Sequence, residues 1–456
     1  MIAVATAQFL LPFMMSGIGP LLPTIGQDLK ASAMELGLVG AIYSLSLSIF
    51  HLVSGRIGDM KGRRKLFLLG LAIFLAMSVA TPFSPNMIVF LCCRFIQAIG
   101  TAMMNTSALS ILIASAPPAI RGRVLGITSI GVFAGVSSGP AIGGFIGSFL
   151  GWQYLFFCVV PLGVIAWVLM AFTIKGDWTN APDAPFDWRG SILYSLGICA
   201  ISMGATWILA GSWAVGLVAG GFILLGLFAF AELKMDYPIL DVKFVVRNTS
   251  FLLNVIVSFI VNSSAYGLLF YYSLYLQGVQ GLSVLHTGMV LSVQPVVQLV
   301  CAPWTGKMAD RHGPLFISSI GLVLCCVGLY MVGRLTATSQ LWEVPLAQVW
   351  MGLGLAFFAA PNTSAIMAKV DIAHLSQASG LVGTTRTMGM LTSMVIVAVT
   401  MNIYLGDSPL NPTNIADFLS AMHMNINMFQ CLNAVAITIS IWQLRRRFRR
   451  HRQPKA

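Results

Sequence analysis

Charge is scarce in this 456-residue sequence. Only 9% of its residues are Asp, Glu, Lys or Arg, against 57% hydrophobic. A soluble domain carries about 25% charged residues, so the chain cannot clothe itself in a polar surface. Soluble enzymes, nucleic-acid binders and disordered scaffolds are excluded together. Ligand-type spacing is missing too. The eight cysteines (Cys92, Cys93, Cys158, Cys199, Cys301, Cys325, Cys326, Cys431) all fall in apolar runs without the spacing of a zinc or haem site, and read as small apolar fillers rather than a disulfide framework. The six histidines (His51, His286, His312, His374, His423, His451) are scattered along the chain. Neither a metal centre nor the clustered nucleophile and base of a membrane enzyme is indicated. The expectation is no cofactor, no metal and no enzymatic activity.

What the sequence has is long apolar runs. A helix crossing ~30 Å of hydrocarbon needs roughly 20 mostly apolar residues. Fourteen such segments occur, near 2–25, 37–54, 66–83, 87–114, 123–148, 152–174, 190–209, 213–231, 250–276, 285–305, 315–333, 341–367, 377–402 and 424–443. They are too long for barrel strands and lack period-two alternation, so the fold class is an all-α polytopic membrane protein. The first run has no positive n-region and no clear cleavage site, and reads as a retained helix rather than a signal peptide. Its lack of a polar lead is compatible with a start upstream of Met1.

Lys and Arg set the orientation. With the N-terminus inside, the inner loops and tail hold twenty-two of them: Arg56, Lys61, Arg63, Arg64, Lys65, Arg121, Arg123, Lys175, Arg189, Lys234, Lys243, Arg247, Lys307, Arg311, Lys369 and the seven of the Arg445–Lys455 tail. The other side holds Lys30 and Arg334, and two more, Arg94 and Arg386, fall inside spans. The positive-inside rule then places both termini in the cytoplasm. The basic tail reads as an anchor to anionic lipid, not as a nucleic-acid arm.

Two markers recur at a nearly constant offset. Gly55-Arg-Ile-Gly58-Asp59-Met-Lys61-Gly62 is echoed by Gly306-Lys307-Met-Ala-Asp310-Arg311-His312-Gly313, 251 residues on, and Asn105-Thr-Ser-Ala by Asn362-Thr-Ser-Ala, 257 residues on. A duplicated half is implied. Eight spans separate the copies, so they face the same side, as in transporters built from parallel repeats around a midplane site. The expected organisation is a six-helix bundle over 1–175, a two-helix insert with cytoplasmic linkers over 176–249, a second six-helix bundle over 250–444 and a basic tail over 445–456.

Three motifs carry a resemblance to a known family. These are the Gly55–Lys65 loop, Arg94-Phe-Ile-Gln97-Ala-Ile-Gly100 in the fourth span, and Gly135-Val-Ser-Ser-Gly139-Pro140-Ala-Ile-Gly143-Gly144 in the fifth. Asp187-x-x-Gly190 at the seventh span fits more weakly. With the span count they make the chain resemble the major facilitator superfamily, and within it the fourteen-span drug:proton antiporters. The resemblance implies two six-helix bundles plus two central helices, multidrug-type efflux of small amphipathic compounds across a bacterial or archaeal inner membrane, alternating access, and protons as the exchange partner. It marks Gly135, Gly139, Pro140, Gly143 and Gly144 as an exporter-type helix. Alternatives left open are a dedicated exporter of one metabolite or organic anion, and a transporter-like receptor that moves nothing. The expected assembly is a monomer among membrane lipids, compatible with a periplasmic adaptor.

The motifs also have a physical reading. Gly55 and Gly58 permit close helix approach, Gly62 permits a turn with positive φ, and Asp59 can pair with Arg63 or accept bonds from a helix N-terminus. Gly55, Asp59, Gly62, Arg63, Asp310 and Arg311 are therefore candidates for a conformational latch. In the fifth span Gly131, Gly135, Gly139 and Gly143 recur every four residues, so backbone can approach backbone.

Intramembrane charge is the sharpest functional flag. All fourteen acidic residues fall outside the deep part of every span, leaving Arg94 and Arg386 as the deep fixed charges. Resembled family members carry a carboxylate in the first span; aligned on Leu22-Pro23-Thr24, this chain has Met15 there. Either coupling uses another group, with His51 a titratable candidate, or transport is not proton-coupled. Candidate residues of the substrate or coupling path are Met15, Arg94, Gln97, Asn105, Asn262, Tyr266, Gln294, Gln298, Asn362 and Arg386. Tyr271, Tyr272 and Tyr275 read as an interfacial aromatic belt. Such a cavity suits amphipathic neutral or anionic solutes and disfavours strong cations.

Overall fold

The computed structural model describes residues 2–115, 121–173, 176–177, 186–208, 211–235, 239, 242–367, 375–406 and 414–452. Of the basic loop and tail residues, Lys175, Lys369 and Lys455 lie outside them. No strand occurs among the described residues. We number the long helices α1 (Val4–Asp28), α2 (Ala33–Lys61), α3 (Arg63–Ala80), α4 (Met87–Ser115), α5 (Arg121–Phe149), α6 (Gln153–Thr173), α7 (Trp188–Thr206), α8 (Ser212–Glu232), α9 (Thr249–Val279), α10 (Val284–His312), α11 (Pro314–Val332), α12 (Glu343–Met367), α13 (Leu375–Leu405) and α14 (Ile415–Arg452).

Local chemistry sets the ends. Ser32 and Glu35 form a reciprocal capping box that starts α2, and Asp187 caps α7 by accepting from the Gly190 amide at 2.8 Å. The first helix of each bundle is broken. In α1 a tight 3-10 turn at Gly19–Leu21 carries Pro20, whose missing N–H interrupts the ladder; α9 breaks after Ala265 and ends in a π turn at Tyr275–Val279. Among the described residues thirteen of these helices are long and apolar enough to cross a membrane. The exception is α7, where Arg189, Ser191, Ser195, Ser202 and three glycines dilute the expected seventh span.

The packing repeats. α1 packs on α5 and α6, α2 on α4, and α3 on α4 and α6; eight helices later α9 packs on α13 and α14, α10 on α12, and α11 on α12 and α14. The repetition extends to atoms. A Cβ at Gly70 of α3 would lie 2.6 Å from the Gly100 carbonyl oxygen of α4, and one at Gly321 of α11 would lie 2.7 Å from the Gly354 oxygen of α12. Backbone contact of this kind holds helices together in lipid, where apolar burial alone gives little.

Two helix pairs make the most extensive contacts between the bundles, α2 with α13 and α5 with α10, and α1 touches α9 and α10 as well. The insert lies against the first pair. Tyr194 of α7 donates to the Ser48 carbonyl at 2.9 Å, and Leu45, Ile49, Tyr194, Ile198, Phe228, Leu391 and Val395 form one buried cluster across α2, α7, α8 and α13. We call the side carrying the α2–α3 turn the basic face and the other the opposite face.

Candidate central chamber

Residues from both bundles meet at a small cavity. Met15, Ile18, Gly19 and Leu22 of α1, Leu36, Val39, Gly40 and Tyr43 of α2, Arg94 of α4, Tyr266, Leu269 and Phe270 of α9 and Met394 of α13 enclose about 40 Å³. That is room for one or two waters, each about 30 Å³ in the liquid, whereas ligand sites run from roughly 300 Å³ upward. In this conformation the cavity beside Arg94 is too small to hold a solute.

Arg94 is 2% exposed. Its Nη1 donates to the Gln97 side-chain oxygen at 2.5 Å, Gln97 Nε2 donates onward to Ser78 at 2.8 Å, and the guanidinium lies 4.2 Å from the Tyr43 ring centroid. A buried cation thus rests on an aromatic face and an amide instead of a carboxylate. The Tyr43 hydroxyl is 2.7 Å from the Thr101 hydroxyl, which fixes the ring. Arg386 on α13 is exposed between the buried Thr384, Thr385 and Thr387. Tyr266 lies within electrostatic reach of both arginines and of Tyr43.

Of the ten path residues expected from sequence, Met15, Arg94 and Tyr266 line the chamber, and Gln97 stands one bond behind it. The other six do not line it. Asn262 Nδ2 donates to the Ser258 carbonyl at 2.8 Å within its own helix, and Asn362 donates to the Asn254 carbonyl at 3.5 Å. The Gln294 amide donates to Gln348 at 3.4 Å, and Asn105 and Gln298 are half-buried. Sequence reasoning passed over Tyr43 and Met394, both on the lining. Nothing local distinguishes Tyr43 from other aromatics, since its role depends on α4 crossing α2.

The expected aromatic belt is corrected. Tyr271, Tyr272 and Tyr275 are all 2% exposed or less. The Tyr271 hydroxyl bonds to Thr400 of α13 and Asn425 of α14, and the Tyr275 hydroxyl donates to the Thr336 carbonyl at 2.7 Å. With these partners inside the bundle, Tyr271 and Tyr275 lose the reason to sit at the interface.

At the basic face, Asp59 accepts from Arg63 Nε and Nη2 at 3.1 and 2.5 Å. Gly62 turns between α2 and α3 at φ +105°, and the Arg64 amide donates to Asp177 at 3.0 Å. Asp177 falls in the stretch over 176–249 read from sequence as the insert with its linkers, and it was not among the expected latch residues. In the second copy Gly313 takes the same turn at φ +92°, but Pro314 stands where Arg63 stands and offers no donor; Asp310 and Arg311 are exposed. Gly55 departs from expectation, because a Cβ there would meet nothing within 4 Å, while one at Gly58 would lie 3.2 Å from Leu66. Close approach is served by Gly58.

The glycine helix α5 faces two ways. Cβ atoms at Gly135, Gly139 and Gly143 would fall 2.3, 2.7 and 2.4 Å from the carbonyl oxygens of Phe9, Phe13 and Gly17 on α1. One at Gly144 would fall 2.7 Å from the Val284 oxygen of α10, and one at Gly288 of α10 would fall 2.2 Å from the Pro140 oxygen. Nearby, Ser273 donates to the Gly19 carbonyl at 2.6 Å and Gln277 to the Pro20 carbonyl at 2.7 Å. These contacts close the opposite face between the bundles. A larger groove of about 860 Å³ lies between α9, α13 and α14, within one bundle and away from the chamber.

Two repeated helical bundles closing on a shared chamber that holds a buried charge define a membrane transporter. The sequence profile of the Major Facilitator Superfamily matches residues 4–394, and the chain belongs to that superfamily. It is 27% identical to the riboflavin transporter RibZ of Clostridioides difficile strain 630, over 80% of each chain. It is 28% identical to the tetracenomycin C resistance and export protein of Streptomyces glaucescens, over 84% of this chain and 72% of that one. Among solved structures, a bacterial homolog to the human lysosomal transporter Spinster, inward-facing and unoccupied, superimposes with a TM-score of 0.72 at 16% identity, covering 100% of this chain and 98% of that one. At that identity the likeness is one of fold.

Proposed function

We propose that the chain exports small amphipathic compounds across a bacterial or archaeal cytoplasmic membrane by alternating access. The observation that carries the reading is the chamber itself, whose lining comes from both bundles and joins Met15 and Arg94 to Tyr266 and Met394. A solute held there touches both bundles, so its binding biases how they tilt. Outward direction is supported by the α5 glycine helix, packed on α1 and α10, and by the name of the relative from Streptomyces. The excess of Lys and Arg on the basic face supports cytoplasmic termini. The repeated packing supports the division into 1–175, 176–249, 250–444 and 445–456. The Asp59–Arg63 pair and the Arg64–Asp177 bond serve as a latch that holds α2, α3 and the end of α6 together at that face. The protein works as a monomer.

The test is efflux. Cells overproducing the chain are loaded with an uncharged amphipathic fluorescent dye and compared with cells carrying the Gly144→Val variant. Faster dye loss in the former alone supports export. Equal loss in both, with the two proteins present in the membrane in equal amounts, overturns it.

A further inference from the structure

The groove of about 860 Å³ between α9, α13 and α14 marks a lapse in the repeat. In the first bundle α5 meets α1 through Gly135, Gly139 and Gly143, and Gly135 abuts the Phe9 carbonyl. In the second, Gly389 of α13 abuts the Phe259 carbonyl of α9 in the same way, with a Cβ distance of 2.8 Å. The next two places along α13 hold Ser393 and Val397, which both stand against Gly267 of α9. Side chains thus occupy the line where the first bundle has bare backbone, and α13 lies less closely along α9 than α5 lies along α1. On the α14 wall of the resulting gap Met424, Cys431 and Val435 are exposed, so in a membrane the groove opens sideways to lipid.

Its polarity is graded. Tyr404, Ser420, His423 and Asn427 gather toward the opposite face, and Phe259, Ile260, Ile396, Leu432 and Val435 line the rest. The two deep hydroxyls, Ser263 and Thr392, donate to carbonyls of their own helices at 2.8 and 2.9 Å. From Ser420 to Val435 α14 rises about 22 Å, which is one leaflet with its headgroups, about 20–22 Å. Val435 stands ten residues before Arg445, about 15 Å, half the hydrocarbon thickness. The groove therefore runs from headgroup level to the bilayer midplane. One charge of each sign flanks its polar end: exposed Asp417, one turn before Ser420, and exposed Arg334, next to the Leu335 whose carbonyl is 2.7 Å from His423 Nε2.

We propose that this groove binds one zwitterionic phospholipid of the opposite-face leaflet, with an acyl chain laid along α14. The Asn427 amide is placed to donate to the glycerol esters, while the phosphate faces Arg334 and the cationic headgroup amine faces Asp417. An amphipathic solute shorter than a leaflet leaves the deep end unfilled, whereas an acyl chain reaches it. The chain takes up the space that α5 and α1 close with glycines, and it stiffens α9 and α13, which carry Tyr266 and Met394 of the chamber. The site is independent of the direction of transport.

The experiment uses the unaltered full chain in detergent and the native thiols as reporters. Cys431 lies on the groove and Cys92 on α4, and both are exposed. N-ethylmaleimide alkylation of each is followed by peptide mass spectrometry while phosphatidylcholine or phosphatidylglycerol is added. Phosphatidylcholine should slow Cys431 about tenfold once it stands at ten times its dissociation constant, leave Cys92 unchanged, and protect better than phosphatidylglycerol. Native mass spectrometry should find a single retained phosphatidylcholine that Val435→Trp, which fills the deep end, releases. Equal slowing at both thiols is bulk shielding and overturns the proposal, as does a monodisperse Val435→Trp protein that keeps its lipid. Equal protection by phosphatidylglycerol overturns the zwitterionic assignment. Protection of Cys431 by an uncharged amphipathic dye but not by phosphatidylcholine makes the groove a solute site and overturns the lipid reading. None of these results bears on the efflux test, so the exporter reading stands or falls separately.

Discussion

Gly62 shows how one residue carries the basic-face turn. Its φ of +105° is a conformation that costs other residues about 1–3 kcal/mol. A Cβ there would also stand 2.3 Å from the Asp177 carboxylate, displacing the group that accepts from the Arg64 amide. Gly62→Ala is therefore expected to lower the detergent melting temperature and to slow transport. Gly55→Ala and Gly306→Ala, whose Cβ atoms meet nothing within 4 Å, leave both unchanged. Melting curves of the three variants check the contrast, and equal behaviour would remove Gly62 from the latch. The two arginines were legible in the sequence because a charge inside an apolar run is costly wherever it points. Asp177 and Tyr43 were not legible, since Asp177 meets Arg64 across 113 residues and Tyr43 meets Arg94 through a helix crossing.

At the level of elements, α5 is asked to do two things, and its two glycine faces can be separated. Gly135 abuts the Phe9 carbonyl of α1 within one bundle, so Gly135→Val overpacks a backbone contact and costs about 1–3 kcal/mol or more. Gly144 abuts α10 of the other bundle. Gly144→Val leaves the first bundle intact and instead keeps the opposite face from closing. Stability and transport are expected to fall together for Gly135→Val, whereas Gly144→Val loses transport with a nearly unchanged melting temperature. A large stability loss in both would mean that the Gly144 contact is structural only. The helices were read from apolar runs because backbone groups in hydrocarbon leave no alternative to helix. That rule says nothing about which face a side chain takes, which is why Tyr271 and Tyr275 were read as interfacial when they are buried. It also says nothing about α7, whose serines and glycines are tolerated because α2, α8 and α13 cover them.

For the whole molecule the proposed alternating access makes a specific demand, the parting of α2 from α13. Gly37 of α2 packs on Ala398 of α13, Gly40 packs on Met394, and farther toward the basic face His51 packs on Gly383, so the pair is in contact along most of its length. Gly40 and Met394 also line the chamber, which therefore cannot open toward the opposite face while they touch. A Cβ at Gly40 would lie 3.0 Å from Met394 Cγ, within the range where two cysteines can bridge once the longer methionine is replaced. In a double variant, Gly40→Cys with Met394→Cys, oxidation should stop transport and dithiothreitol should restore it. The native cysteines are free, and Cys92 and Cys431 are exposed, so each single variant under the same oxidation is the control. The insert bears on the same seam through Tyr194 and Ile198, and its contacts with α2 and α13 must slide as the pair separates. If the bridged protein still transports at the reduced rate, the bundles do not part at this seam, and the α5–α10 contact becomes the moving one.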